Sequence, residues 1–306
     1  MKILVATEKP FAAIAVARIR EVIMAAGFEV VFLENYTTTP ELLAAVSDAD
    51  ALIVRSDIVS AEMLEAARQM KIVVRAGAGY DNLDLDACTR LNIVAMNTPG
   101  QNSNAVAELV FEMMLYIVRG GFSGRSGTEL RGKTIGIHAF GNVGKYVGEI
   151  ARGFGMIPHA FDPYVPESVI NANGIKVSKS AEELYSECQF ISLHLPFNEN
   201  TGRSVNYGLL SRMPSDAVLV NTARKEIIDE GALLKMFEER PGFRYLADVE
   251  PDCRALIEAK YDGRYIFTAR KMGAQTAEAN INAGIAAAHQ IVDYFKTGNG
   301  KFRINK

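Results

Sequence analysis

The sequence predicts an α/β protein built from two parallel-sheet domains, the first of them discontinuous. Two observations predict it. Short apolar, β-branched runs alternate with amphipathic stretches of helical period over nearly the whole chain, the pattern of parallel strands joined by crossover helices. That rhythm breaks once, at Asn97-Thr98-Pro99-Gly100, and resumes at Lys133. The 306 residues exceed one ordinary core and suit two domains of roughly 100–200 residues each. Each domain is expected to be Rossmann-like or flavodoxin-like.

The first series of strands is expected at 2–7, 29–33, 51–55, 71–76 and 93–97, with helical stretches such as 12–26 and 61–69 between them. After the turn at 97–100 a long apolar helix pattern covers 105–119, and a small polar segment follows at 120–127. The second series has strands at 134–139, 157–162, 190–195, 217–222, 244–248 and 265–269. A long helix at 277–295 and a polar tail at 296–306 complete the chain. The two long helices are the natural crossings between domains and return the chain end to the first. The expected division is therefore 1–98 with 278–306, a substrate-binding domain, and 99–277, a nucleotide-binding domain.

Composition excludes several classes of function. Hydrophobic residues make up 49% and charged residues 23%, ordinary for a soluble globular protein. The net charge is −3 and no basic block carries interleaved aromatics, so neither nucleic acid nor an anionic membrane is an expected partner. Cys88, Cys188 and Cys253 are odd in number and far apart, which argues against a disulfide framework and a zinc site; no metal is expected. MKILVAT runs straight into a strand without a signal-peptide layout, and apolar runs fall short of the roughly 18 residues of a membrane span. The expectation is a reduced, cytoplasmic protein.

Segment 133–148 reads KTIGIHAFGNVGKYVG, a strand running into a glycine turn and a helix. The loop positions are Ala139, Gly141 and Gly144, an A-x-G-x-x-G. Gly141 allows a pyrophosphate to approach backbone N–H groups, and Gly144 lets the helix pack closely on the strand. The helix N-terminus favours the anion. Strand 157–162 ends in Asp162, 18 residues after Gly144, where an acid holds ribose hydroxyls. Asp162 repels a 2′-phosphate, and Pro163-Tyr164 follow rather than an arginine, which selects NAD over NADP. Alone, the loop is also compatible with a tight turn that binds nothing. Ala139 departs from the usual first glycine, a modest steric change.

In an open α/β sheet the chemistry sits at the C-terminal ends of strands. Strand 217–222 runs into Ala223-Arg224-Lys225, strand 244–248 into Val249-Glu250-Pro251, and strand 265–269 into Arg270-Lys271-Met272-Gly273. Hydride transfer at the C2 of a small 2-hydroxy or 2-oxo acid needs three things. A cation holds the carboxylate and polarises the carbonyl. An acid/base moves the proton on the oxygen. A neighbour tunes that group. These strand ends supply candidates for all three.

RAGAGYDNLDLDA (75–87), NTPGQNSNAVAEL (97–109), the glycine loop, SLHLP (192–196), VNTARKEIIDEGAL (220–233), ADVEP (247–251) and KMGAQTAEAN (271–280) occur in order over nearly the full length. With these motifs the chain resembles the D-isomer-specific 2-hydroxyacid dehydrogenases, and within them the D-3-phosphoglycerate dehydrogenases. The resemblance implies oxidation of 3-phospho-D-glycerate with NAD, the first step of serine biosynthesis. It implies that Arg224 holds the substrate carboxylate and carbonyl, a bidentate task for a planar guanidinium. Glu250 is implied as its partner in tuning the acid/base. The loop after Asp248 is shorter than in many relatives, which leaves Asp252, two positions on, as the alternative acid. Phe140, Gly141, Asn142, Val143, Gly144, Asp162, Leu195, Pro196, Thr201, Thr222, Ala223, Asp248 and Gly273 are implied as cofactor contacts. Asp248 accepts a hydrogen bond from the nicotinamide carboxamide in relatives; a strand-end or capping aspartate is the other reading.

Most relatives place a histidine where this chain has Lys271. The four histidines are His138 in the glycine-loop strand, His159 on the strand leading to Asp162, His194 ending strand 190–195, and His289 in the last helix. Each reads as structural. Lys271 can serve: an ammonium donates a proton to a developing alkoxide, and a neutral amine accepts one from an alcohol. The free side chain has a pKa of about 10.4. Burial beside an oxidised nicotinamide and nearby Arg224 would lower it, while Glu250 would oppose that. One subgroup of phosphoglycerate dehydrogenases uses lysine here.

The resemblance also implies a substrate pocket. Arg55 and Ser56, ending strand 51–55, and Asn102, opening the first long helix, match positions that hold the substrate phosphate. Strand 71–76 leads into Arg75 and then Gly77-Ala78-Gly79, whose N–H groups can grip a carboxylate. Arg55 as a surface charge and Asn102 as a helix cap are the competing readings. Nothing regulatory is expected beyond Lys306, so serine feedback through an added domain is not anticipated. Members of the family are usually homodimers. Two other functions stay open: a dehydrogenase for another 2-hydroxy acid such as glyoxylate or hydroxypyruvate, and an NAD-sensing corepressor that binds proteins without catalysis.

Overall fold

The computed structural model describes all 306 residues. They form two compact units: residues 1–102 with 275–306, and residues 103–274. Each has its own parallel sheet, of five and seven strands. The predicted fold class is the observed one.

In the first unit the chain runs β1 Lys2–Thr7, α1 Ala13–Ala25, β2 Glu29–Glu34, α2 Thr39–Val46, β3 Ala51–Val54, α3 Ala61–Ala66, β4 Ile72–Arg75, α4 Leu85–Arg90 and β5 Val94–Asn97. The sheet order is β2-β1-β3-β4-β5 and all pairings are parallel, the flavodoxin-like arrangement. β1 from Ile3 to Ala6 and the whole of β3 are apolar because both faces of the sheet are covered. The long C-terminal helix, Ala277–Thr297, belongs to this unit. Its small residues Ala283, Ala287 and Ala288 pack with Ile19 and Ile23 of α1. A Cβ on Gly284 would stand 2.9 Å from both Ile19 Cδ1 and Phe11 Cε1, so the two helices touch where only glycine fits.

The tail at 296–306 is more than polar surface. Ile304 N–H donates to Ala95 C=O (2.9 Å), and the buried Asn305 amide accepts from Ala95 N–H (2.9 Å) and donates to Ile93 C=O (2.9 Å). The tail thereby covers the open edge of β5, which would otherwise present unpaired backbone groups.

The second unit runs α5 Ser103–Val118, β6 Thr134–His138, α6 Asn142–Gly153, β7 Ile157–Phe161, α7 Glu167–Ala172, β8 Lys176–Val177, α8 Ala181–Glu187, β9 Phe190–Leu193, α9 Tyr207–Leu210, β10 Val218–Asn221, α10 Glu230–Glu239, β11 Arg244–Ala247, α11 Arg254–Lys260 and β12 Tyr265–Phe267. The Ala277–Thr297 helix is then α12. The order β12-β11-β10-β9-β6-β7-β8 is Rossmann-like with one extra strand. The strand order reverses between β6 and β9, the switch point outside which such sheets bind ligands. Expected strands 190–195, 244–248 and 265–269 end earlier than the sequence pattern suggested, so His194 and Asp248 lie just past their strands. The three cysteines are free and buried. No helix is long and apolar enough to cross a membrane.

Candidate active site

The glycine turn joins β6 to α6. A Cβ on Gly144 would lie 2.5 Å from Ala139 O and 3.0 Å from Ile137 Cγ2, so α6 sits against the strand where only glycine allows it. Beside Gly141 the opposite holds: a Cβ there meets nothing within 4 Å. α6 starts without a side-chain cap and without an acid in its first turn, which leaves its leading N–H groups for an anion. Asn142 is exposed and Val143 half-buried in that turn. Ala139 has φ +78°, a left-handed conformation disfavoured for a residue with a Cβ. The missing first glycine is thus a strained position, not only a steric one.

Asp162, just past β7, ties this turn down. Its Oδ2 accepts from Phe140 N–H (2.8 Å) and its Oδ1 from Tyr164 N–H (2.8 Å), each oxygen keeping acceptor capacity for a ribose hydroxyl. The Phe140 side chain is fully buried in the core and its N–H is committed to Asp162. Thr201 is bonded within its own loop. Its hydroxyl donates to Pro196 C=O (2.6 Å) and accepts from Asn198 N–H (2.9 Å), which folds the loop after Leu195-Pro196 upon itself.

Along the other half of the sheet, the ends of β10, β11 and β12 lie side by side. Past β10, Thr222 Oγ1 is buried and has no hydrogen-bond partner. Such an orphaned hydroxyl, together with the open space at Gly141 and the uncapped α6, fits a dinucleotide lying along these strand ends. Arg224 follows, half-buried, with one Nη1 donating to Ala223 C=O (2.9 Å). Its loop is held by Asn221, a residue the sequence reading passed over although it stands in the NTAR motif. The buried Asn221 amide accepts from Ala223 N–H (2.9 Å) and donates to Arg224 C=O (2.9 Å).

Past β11, Asp248 is completely buried and Glu250 exposed. Glu250 pairs with Arg254 one helical turn on. The alternative acid, Asp252, takes the ammonium of Lys225. The Asp248 carboxylate accepts from Met272 N–H (2.6 Å), Thr268 Oγ1 (3.0 Å) and Gly273 N–H (2.8 Å). It is therefore chiefly bonded to the protein, with one acceptor position on Oδ2 remaining for a carboxamide. Lys271 stands on the loop after β12 and is exposed, so the protein itself does not supply the burial invoked from the sequence.

No histidine competes. His194 has Nε2 2.9 Å from Ser192 Oγ, and burial, helped by His138, pushes its pKa down to about 3. Burial pushes His138, with Nδ1 3.2 Å from Tyr185 Oη, down to about 4. His159 lies beside Glu187 (3.1 Å) and is also lowered, mainly by burial. His289 is on α12 in the other unit.

In the first unit, Arg55 follows β3. Its Nη1 donates to Lys9 C=O (2.9 Å) and Pro10 C=O (3.0 Å), its Nη2 to Asn280 Oδ1 (2.7 Å), and its guanidinium lies over Phe11. Three of its five N–H donors are thus engaged, leaving Nε–H and one Nη2–H, the edge suited to a bidentate anion. Buried Asp57, which the sequence reading missed, shapes this turn by accepting from Glu8 N–H (2.7 Å) and Arg55 N–H (3.1 Å). Ser56 beside it is exposed. Arg75 donates from Nε to Arg55 C=O (2.9 Å) and its guanidinium folds over Gly77. The Gly77 N–H donates to Arg75 C=O (2.9 Å), which leaves the N–H groups of Ala78 and Gly79 for a carboxylate. Asn102 ends this stretch, half-buried, just before α5.

The family profile described as "D-isomer specific 2-hydroxyacid dehydrogenase, catalytic domain" matches residues 4–305. The chain belongs to that family. Its fold is shared with an NAD+-bound 3-phosphoglycerate dehydrogenase of Entamoeba histolytica, 47% identical, with a TM-score of 0.86 over 100% of this chain and 99% of that one. The human D-3-phosphoglycerate dehydrogenase is 34% identical over 295 residues, 90% of this chain and 54% of that protein. The hydroxypyruvate reductase of Thermotoga maritima is 34% identical over 270 residues, 82% of this chain and 86% of that protein. The chain spans about half the length of the curated phosphoglycerate dehydrogenases it matches.

Proposed function

We propose that the protein is an NAD-dependent dehydrogenase that interconverts 3-phospho-D-glycerate and 3-phosphohydroxypyruvate at C2, the first step of serine biosynthesis. The observation that carries this reading is the set Arg224, Glu250 and Lys271 past three adjacent strands, β10, β11 and β12, in the sheet whose β6 ends in the glycine turn. NAD would be held by the α6 N-terminus at Gly141–Gly144, by Asp162, and by Leu195, Pro196, Thr222, Ala223, Asp248 and Gly273; when bound it exchanges the hydride. Arg224 holds the carboxylate and draws charge from the C2 oxygen, which lowers the barrier where negative charge develops. Lys271 gives that oxygen its proton in reduction and removes it in oxidation. Glu250, released from Arg254, favours the charged lysine. Arg55, Ser56 and Asn102 take the phosphate, and Ala78 and Gly79 N–H groups the carboxylate.

A second reading is reduction of unphosphorylated hydroxypyruvate. It is favoured by the three Arg55 donors already bound within the protein and by the similarity to the Thermotoga maritima enzyme over most of that protein's length. A cytoplasmic homodimer is part of either reading. Loss of NADH absorbance with 3-phosphohydroxypyruvate, hydroxypyruvate, glyoxylate and pyruvate separates the two. Preference for the phosphorylated acid, lost in Arg55→Ala, supports the first. Equal use of hydroxypyruvate by both proteins supports the second.

A further inference from the structure

We infer that Asp248 and Thr268 form a buried clamp whose task is to position Lys271, an inference that rests on the reading of Lys271 as the acid/base. Asp248 is 0% exposed, and a buried carboxylate is costly unless its oxygens are hydrogen-bonded. Here the bonds come from one short segment. Met272 N–H and Thr268 Oγ1 reach Oδ1, and Gly273 N–H reaches Oδ2. The single hydroxyl proton of Thr268 is shared between Asp248 Oδ1 (3.0 Å) and Asp248 C=O (2.8 Å), and the Thr268 N–H donates to Ala247 C=O (3.1 Å). The loop carrying Lys271 is therefore fastened on both sides of that residue to a single carboxylate. Gly273 is part of the device: a Cβ there would stand 2.9 Å from Asp248 Oδ2 and 3.2 Å from Val106 Cγ2.

The arrangement repeats on the neighbouring strand. Asn221 fastens the loop of Arg224, and Asp248 N–H donates to Asn221 C=O (3.0 Å). The two loops that carry the cation and the proton-transfer group thus hang from one hydrogen-bonded pair of strand ends. A lysine has a long, mobile side chain, so a fixed backbone is what limits where its nitrogen can go. Misplacement by about 1 Å can cost about 100-fold in rate. Asp248 is a positioning residue in this account, and it does not exchange the proton.

Thr268→Val keeps the shape of the side chain and removes its hydroxyl. It should lower kcat about tenfold with KM for NADH unchanged, since a displaced lysine reduces rate without touching the nucleotide. Thr268→Ser should restore kcat. Asp248→Asn turns one of the two carboxylate oxygens into an NH2 donor, so one of the Met272 and Gly273 N–H groups loses its acceptor. Hydrogen exchange of those amides, followed by mass spectrometry in the folded protein without cofactor, should quicken at least tenfold in this variant and in Thr268→Val. Unchanged exchange in Thr268→Val and Asp248→Asn overturns the clamp. Faster exchange with unchanged kcat overturns the positioning function, whereas a near-normal rate in Lys271→Ala overturns the reading of Lys271 on which it rests. Should Asp248→Asn fail to fold, the Thr268 pair decides alone.

Discussion

Gly141→Ala is the substitution that best separates a nucleotide site from a tight turn. In the structure a Cβ at Gly141 meets nothing within 4 Å, and the backbone there has φ −78°, which alanine adopts freely. The folded protein without ligand should therefore be almost indifferent to the methyl, within about 0.5 kcal/mol. A bound pyrophosphate would not be. The methyl occupies the space through which the phosphates reach the uncapped N–H groups of α6. Hydrogen bonds to a charged partner contribute about 1.5–3 kcal/mol each. Losing two of them weakens binding by about 3–6 kcal/mol, or at least about 100-fold. Thermal unfolding and a fluorescence titration with NADH read the two quantities on one preparation. Wild-type affinity in Gly141→Ala would refute the reasoning. So would a large loss of stability without ligand, because the structure has no atom there to clash with. Gly144→Ala is the internal contrast: its Cβ would press on Ala139 O at 2.5 Å, so this variant should lose about 1–3 kcal/mol of stability before any ligand is added.

Ala139→Gly should stabilise the protein by about 0.5–1 kcal/mol in urea titrations, because relief of the left-handed Ala139, about 1–2 kcal/mol, outweighs the added freedom of the unfolded glycine; a destabilised variant contradicts this. Lys271→Ala should abolish turnover in both directions while NADH binding persists; near-normal rates would remove Lys271 from the chemistry. Alcohol oxidation should rise toward alkaline pH as the amine loses its proton, and a flat profile would count against a lysine base. His138 and His194 are held neutral, with pKa values pushed down to about 4 and about 3 from 6.5. The unfolded chain binds these protons first as pH falls, so this contribution is complete above pH 6.5. It should shrink by up to about 1.4 kcal/mol per pH unit for each histidine between pH 6.5 and those values. His138→Gln should flatten the fall in urea midpoint between pH 7.5 and 5; an unchanged slope would show that His138 is not responsible.

The strands were legible because a sheet covered on both faces demands continuous apolar runs, as in Ala51–Val54 and residues 218–220. β8, only two residues long, carries no such signal, and the tail that closes the β5 edge looks merely polar in sequence. The strand-end motifs put Arg224 after β10 and Lys271 after β12, the two strands that flank β11, without help from coordinates. What sequence did not disclose is which polar groups are already bound. Phe140 N–H, Gly77 N–H and most of Asp248 are committed to partners 2 to 25 residues away. Whether a donor is spent depends on tertiary geometry that residue type does not encode. The same holds for Asn221 and Thr268, whose value lies in holding loops, and for the backbone angle at Ala139.

The central claim is that a hydride arrives at C2 of a small 2-oxo acid. It is tested most directly by incubating the protein with 3-phosphohydroxypyruvate and NADH deuterated at both C4 positions, and reading the product by mass spectrometry and proton NMR. The account predicts one deuterium at C2 of the resulting 3-phosphoglycerate. NADH that binds and is never consumed, or a product without deuterium at C2, would contradict it.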